Sequence, residues 1–177
     1  MQLKIIAAIV LAAGLLLVTG CGSGVKSAET SPPEDFNFIL KYGVGAKNVL
    51  DTFAGTFTKD LVNTGTVTTG LTLTPQEMAA VYAEMRRLNI FAYPEEFAPR
   101  QKGLDQVYIS PHPTYYLKVQ MDGKVKEICW EDTAGEQNLS AQPQEAVQLR
   151  NLIDNIVRMI EAKEEFKQLP KPEGGYA

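Results

Sequence analysis

Asp122-Gly123 stands between two runs of alternating apolar and polar residues, and no other pair in the chain constrains the fold as tightly. Asp-Gly is a preferred pair for a two-residue type I′ hairpin turn, because both central residues of that turn need a positive φ. Such a turn sets Met121 opposite Lys124. The period of two then pairs Val119 with Lys126, Leu117 with Ile128 and Tyr115 with Trp130 on one face, and Lys118 with Glu127 and Tyr116 with Cys129 on the other. Large apolar pairs meet on one side and an opposite-charge pair on the other, so the first face is predicted to be covered.

What covers it can be read from the same chain. Thr74-Pro75-Gln76-Glu77 is a helix start, with Thr at the N-cap, Pro in the first turn and Glu placed to close a capping box. Met78, Val81, Tyr82, Met85 and Leu88 follow at helical spacing, and Asn89 can end the helix. A second helix opens at Pro143 with an apolar stripe of Leu149, Leu152, Ile153, Ile156, Val157 and Ile160. Arg150, Asp154 and Arg158 are expected as an i, i+4 ladder on its wet side. Alternation predicts three further strands: Phe36 to Tyr42, Phe53 to Leu61, and Val67 to Leu73 after an Asn63-Thr64-Gly65 turn. The order strand, strand, strand, helix, strand, strand, helix predicts an α+β domain over residues 36–169. Its mostly antiparallel sheet has about five strands, with two helices packed on one face. Residues 170–177, rich in Pro and Gly, are expected to trail as a loose tail.

The amino-terminal segment says where such a domain works. One Lys precedes fourteen uninterrupted residues of Ile, Ala, Val, Leu and Gly, positions 5–18. A helix of that length spans about 21 Å, short of a hydrocarbon core of about 30 Å, which suits a signal-peptide core better than a membrane span. Val18-Thr19-Gly20-Cys21 follows directly. This segment resembles the bacterial lipoprotein lipobox, and the body resembles other small bacterial lipoproteins rather than any named functional family. The resemblance implies cleavage before Cys21, which makes residues 1–20 a signal peptide. It also implies a diacylglyceryl group on the Cys21 sulfur, an acylated (palmitate-type) amino terminus, and a lipid-anchored protein on the extracytoplasmic face of the cell membrane. Gly22 is not the Asp that the family associates with inner-membrane retention, so an outer membrane is allowed where the host has one. Residues 21–35 read as the lipidated Cys and a flexible tether.

Charge and composition narrow the partners. Of 17 Lys and Arg and 21 Asp and Glu, cleavage removes one Lys, leaving 16 against 21 and a net charge of −5. An acidic chain without a basic run is unsuited to nucleic acid, and it gains nothing from anionic lipid, so attachment to the membrane is left to the acyl chains. One His and two distant Cys make no zinc motif, and no cofactor is implied. Asp122-Gly123 is a turn rather than a calcium loop. A Cys129–His112 dyad would need about 13 Å to close across the hairpin, so Cys129 reads as a small sheet residue and His112 as an exposed loop residue. Gly43-Val44-Gly45-Ala46-Lys47-Asn48 lacks the ending of a phosphate loop and reads as a strand-ending turn. Glu95-Glu96 and Glu164-Glu165 read as solvated acids.

Two surfaces remain as binding candidates. The connection over residues 94–113, crossing four prolines with a short strand expected over residues 106–110, carries Arg100, Lys102, Asp105, Tyr108 and His112. The second is a threonine face of the first hairpin: Thr56, Thr58, Thr66, Thr68 and Thr72. The leading expectation is a binding or interaction module of the cell envelope, without chemistry of its own, acting on an envelope protein or ligand. Its rivals are an envelope hydrolase using dispersed residues such as Lys59, Asp60, Asp105 and Tyr108, and an assembly subunit.

Overall fold

A computed structural model describes residues 31–100, 108–136 and 139–176. Six strands form one antiparallel sheet: β1 (Asn37–Tyr42), β2 (Asn48–Asp51), β3 (Thr56–Asp60), β4 (Thr66–Gly70), β5 (Thr114–Met121) and β6 (Lys124–Glu131), in the order β4-β3-β2-β1-β5-β6. Two long helices, α1 (Pro75–Arg87) and α2 (Gln144–Ala162), cover one face, and a short α3 (Glu164–Lys167) follows α2. The fold is α+β.

The β5–β6 hairpin has the predicted register throughout, from Met121 opposite Lys124 to Tyr115 opposite Trp130. Asp122 and Gly123 both take positive φ, 52° and 70°, as a type I′ turn requires. Leu117, Val119, Ile128 and Trp130 are buried on the helix side with Phe38, Leu40, Leu50 and Phe57, against Val81, Met85, Leu149, Ile153 and Ile156. On the opposite side Lys118 meets Glu127 at 3.5 Å, and the Thr58 and Thr68 hydroxyls share a 2.8 Å hydrogen bond.

α1 begins with the expected capping box: the Glu77 N–H donates to Thr74 Oγ1 at 3.2 Å, and the Thr74 N–H donates to Glu77 Oε2 at 2.7 Å. The helix closes at Leu88, and Asn89 takes the left-handed conformation at φ 51°.

Three expectations need correction. The sheet has six strands because Asn48–Asp51 forms a four-residue strand around the buried Leu50, too short to show a period. Just after it, Asp51 Oδ1 accepts from the N–H groups of Phe53 and Ala54, turning the chain where alternation suggested a strand already under way. The i, i+4 ladder is not on a wet face: Arg150 is buried and Asp154 half-buried, because the segment after β6 folds over that side of α2. Finally, the end of the chain is docked. The Glu173 N–H donates to the Leu61 carbonyl, and its carbonyl accepts from the Asn63 N–H. The Tyr176 hydroxyl donates to the Asp60 carboxylate and accepts from Lys47 Nζ at 2.9 Å. Gly174 lies so close to Asn63 that a Cβ would come within 2.3 Å of its amide nitrogen.

The start of the body is pinned as well. Asp35, the last residue of the stretch read as a tether, accepts from the N–H groups of Asp122 and Gly123 at 3.0 and 2.7 Å, gripping the hairpin turn.

Candidate functional site

At the other end of the same hairpin a cavity of about 680 Å³ opens, lined by Thr114 of β5, Cys129 to Asp132 at the end of β6, the segment from Glu96 to Arg100, Tyr108, and Gln142, Pro143 and Ala146 at the start of α2. One wall exists because β6 does not end the sheet bare. The Cys129 N–H donates to the Glu95 carbonyl at 2.6 Å and its carbonyl accepts from the Phe97 N–H at 2.8 Å, so residues 95–97 run briefly parallel to β6. Phe97 then packs edge-on to Tyr93 and Trp130, with ring centroids 5.2 and 5.3 Å away. Beyond Phe97 that segment leaves β6, and the cavity occupies the gap.

Beneath the opposite wall lies a buried polar cluster. Asp132 follows β6 and turns its carboxylate under α2, where Arg150 Nε and Nη2 donate to its two oxygens at 2.8 and 2.9 Å. Nη2 also donates to Gln142 Oε1 at 2.9 Å, Gln142 Nε2 donates to the Gly135 carbonyl, and the Gly135 N–H returns to Asp132 Oδ1. The Arg150 and Asp132 side chains are 5% and 2% exposed. The guanidinium carbon stands 5.1 Å from the centre of the Trp130 ring. A bidentate fork, an amide and an aromatic face therefore all hold the guanidinium. One atom is left over: Arg150 Nη1 is buried and has no hydrogen-bond partner among the described residues.

The electrostatic setting is acidic. Burial pushes the Cys129 thiol up, and Glu96, Glu127 and Glu95 push it further. Burial also raises the Asp154 carboxyl and Glu136 adds to this, with Arg158 and Arg150 opposing. The Tyr115 hydroxyl is raised by burial and then by Asp132 and Asp154.

Of the residues expected to bind, Arg100 and Tyr108 line this cavity, and Tyr108 is 69% exposed at its rim. His112 does not line it. It is half-buried between Pro111 and Pro113, and Pro113 bridges to Val44 on the β1 side of β5, away from the outer edge of β6 where Cys129 sits. Lys102, Asp105 and Cys21 lie outside the described residues. Residues 108–110 run without forming a strand, tied to the cavity wall by the Ile109 N–H donating to the Thr133 carbonyl at 2.7 Å. Lys59 and Asp60 belong to β3, four strand spacings or about 19 Å from β6, so they do not meet Tyr108. Asp60 is instead engaged by Tyr176.

Asp132, Gln142 and Arg150 were not legible as site residues. A helical Arg with an Asp eighteen positions earlier carries no spacing signal; only the fold of the intervening segment joins them. Among the described residues no group of three or more His, Cys, Asp or Glu could hold a metal ion. No family model, curated protein or solved structure matches the chain.

Proposed function

We propose that the chain is a lipid-anchored binding module of the bacterial cell envelope, held through acyl chains on Cys21 and engaging its ligand in the cavity beside β6. The observation that carries this reading is polar separation. The amino-terminal segment reaches the body at the Asp122-Gly123 turn, where Asp35 grips it. The cavity opens at Thr114 and Glu131, the other end of the hairpin. Seven residue steps of strand lie between them, about 24 Å. A domain tethered at its turn end presents its concave site away from the bilayer. The anchor itself is supported by the leader and by Val18-Thr19-Gly20-Cys21.

The test has two parts. Wild-type protein is expected to stay with membranes through a high-salt wash and to incorporate labelled palmitate, whereas Cys21→Ser does neither. A photoreactive side chain in place of Tyr108, at the cavity rim, is expected to trap an envelope component that the same group in place of the exposed Val125 does not. Equal membrane retention of Cys21→Ser, or identical capture at the two positions, would overturn the reading.

A further inference from the structure

We infer that β4 is a pairing edge for a second copy of this chain: two β4 strands meet antiparallel about a twofold axis at Thr68, joining two six-stranded sheets into one.

β4 is an outer strand of the sheet, and its backbone groups divide by position. The Leu61 N–H donates to the Gly65 carbonyl at 2.8 Å and the Leu71 N–H to the Gly55 carbonyl at 2.9 Å, so the odd-numbered residues of this strand bond to β3. The N–H and C=O groups of Thr66, Thr68 and Gly70 therefore face outward. All three residues are exposed, and a Cβ at Gly70 would meet nothing within 4 Å. Among the described residues these groups receive only a 3.4 Å bond, from the Thr69 hydroxyl to the Gly70 carbonyl.

Sheets ordinarily protect such an edge with charge, proline or a bulge. The opposite edge has protection: β6 carries Lys124, Lys126, Glu127 and Glu131, and residues 95–97 bond to Cys129. β4 reads Thr66-Val67-Thr68-Thr69-Gly70, without charge or proline, and its register against β3 runs without a bulge. Its β-branched residues favour a strand, and nothing in them discourages a further one.

Symmetry and charge select a second copy as the occupant. In an antiparallel pair, residues directly opposite each other exchange both hydrogen bonds. A twofold axis at Thr68 sets Thr68 against Thr68 and Thr66 against Gly70, so all the outward residues are bonded at once. A parallel pair does not close on itself in this way, because each bonding residue there lies level with one that faces away. The Thr68 hydroxyl already bonds that of Thr58 at 2.8 Å, and pairing continues this row of threonines across the axis. The chain carries a net charge of −4, so two copies repel, yet β4 and the adjoining Thr56 and Thr58 carry no charge.

On the helix side α3 lies level with the axis. The Phe166 ring is 5.7 Å from that of Phe57 and 4.3 Å from Lys59 Nζ, and these β3 residues pair with Thr69 and Val67, the two neighbours of Thr68. The axis reverses α3, so Glu164 and Glu165 of one copy approach Lys167 of the other, a complement that the chain supplies to itself. One copy is turned end for end, which leaves the cavities beside β6 at opposite ends of the pair and clear of the joined edges.

Full-length protein is purified in detergent, where no shared bilayer aligns the copies, in a Cys129→Ser background. A short bis-maleimide is expected to link Thr68→Cys to itself. Residue 64 of one copy falls opposite residue 72 of the other and about 27 Å from its own counterpart. Thr64→Cys and Thr72→Cys are therefore expected to cross-link when mixed and not singly. Thr68→Lys, which sets like charges together, is expected to cut the mixed cross-link at least about tenfold while keeping the wild-type circular dichroism. Val125→Lys, on the opposite edge, is expected to leave it unchanged.

The inference is overturned by absence of any cross-link, by linkage of Thr64→Cys or Thr72→Cys to itself, or by linkage indifferent to Thr68→Lys. A foreign strand or residues 21–30 lying on this edge would give the first of these. The contrast between photoreactive groups at positions 108 and 125 judges the functional reading separately.

Discussion

Removing either partner of the Asp132–Arg150 pair leaves a charge without its counterion inside the wall of the cavity, a change that costs about 3–5 kcal/mol. Asp132→Asn and Arg150→Met are each expected to lower the urea-unfolding free energy by that order, whereas the double variant Asp132→Leu/Arg150→Met recovers much of the loss, because no lone charge remains buried. Asp154, one turn further along α2, works in the opposite sense. Its carboxyl is raised, first by burial, so the folded chain holds that proton more tightly than the unfolded chain, whose Asp has a pKa of about 3.9. The resulting stability is present in acid and lost as pH rises through the folded value. Asp154→Asn is therefore expected to raise Tm at pH 7, with the gap over wild type narrowing as the pH is lowered into the carboxylate range.

At the scale of elements, α1 depends on its first turn. Burial pushes the Glu77 carboxyl up, but hydrogen bonds from Lys163 and Thr74 outweigh it and hold it below the ordinary value. A lowered carboxyl stabilises above its unfolded pKa and loses that as pH falls through the folded one. Glu77→Gln should cost about 0.5–1 kcal/mol at pH 7 in chemical denaturation, and the difference should vanish in acid. The elements read most accurately are those in which local rules decide alone: the capping box needs four consecutive residues, and the β5–β6 register needs a turn and a period of two. β2 was missed because one buried leucine in four residues makes no pattern. Arg150 was misplaced because helical periodicity locates an apolar stripe without revealing that a loop covers the adjoining side. Arg100 and Tyr108, singled out by the length of their connection, line the cavity, while the polar cluster behind it depends on contacts between segments that sequence spacing does not encode.

For the molecule as a whole, both ends of the described body are fastened, at opposite poles. The carboxyl-terminal fastening rests on the Tyr176 hydroxyl between Asp60 and Lys47 and on the close approach of Gly174 to Asn63. Tyr176→Phe, which removes a hydroxyl bonded to a buried carboxylate, is expected to cost about 1–2 kcal/mol and to speed hydrogen exchange at the Asn63 amide. Gly174→Ala is expected to release the same amide through steric conflict, with the β5–β6 amides unaffected. The position of Asp35 matters under load. On the function proposed above, a pull between the tether and a ligand held at the far pole would run along β1 and β5, and the rungs of an antiparallel ladder lie across that direction. Tension is then shared by all the rungs at once as shear instead of opening them one by one, so a captured ligand should tear free before the sheet unzips.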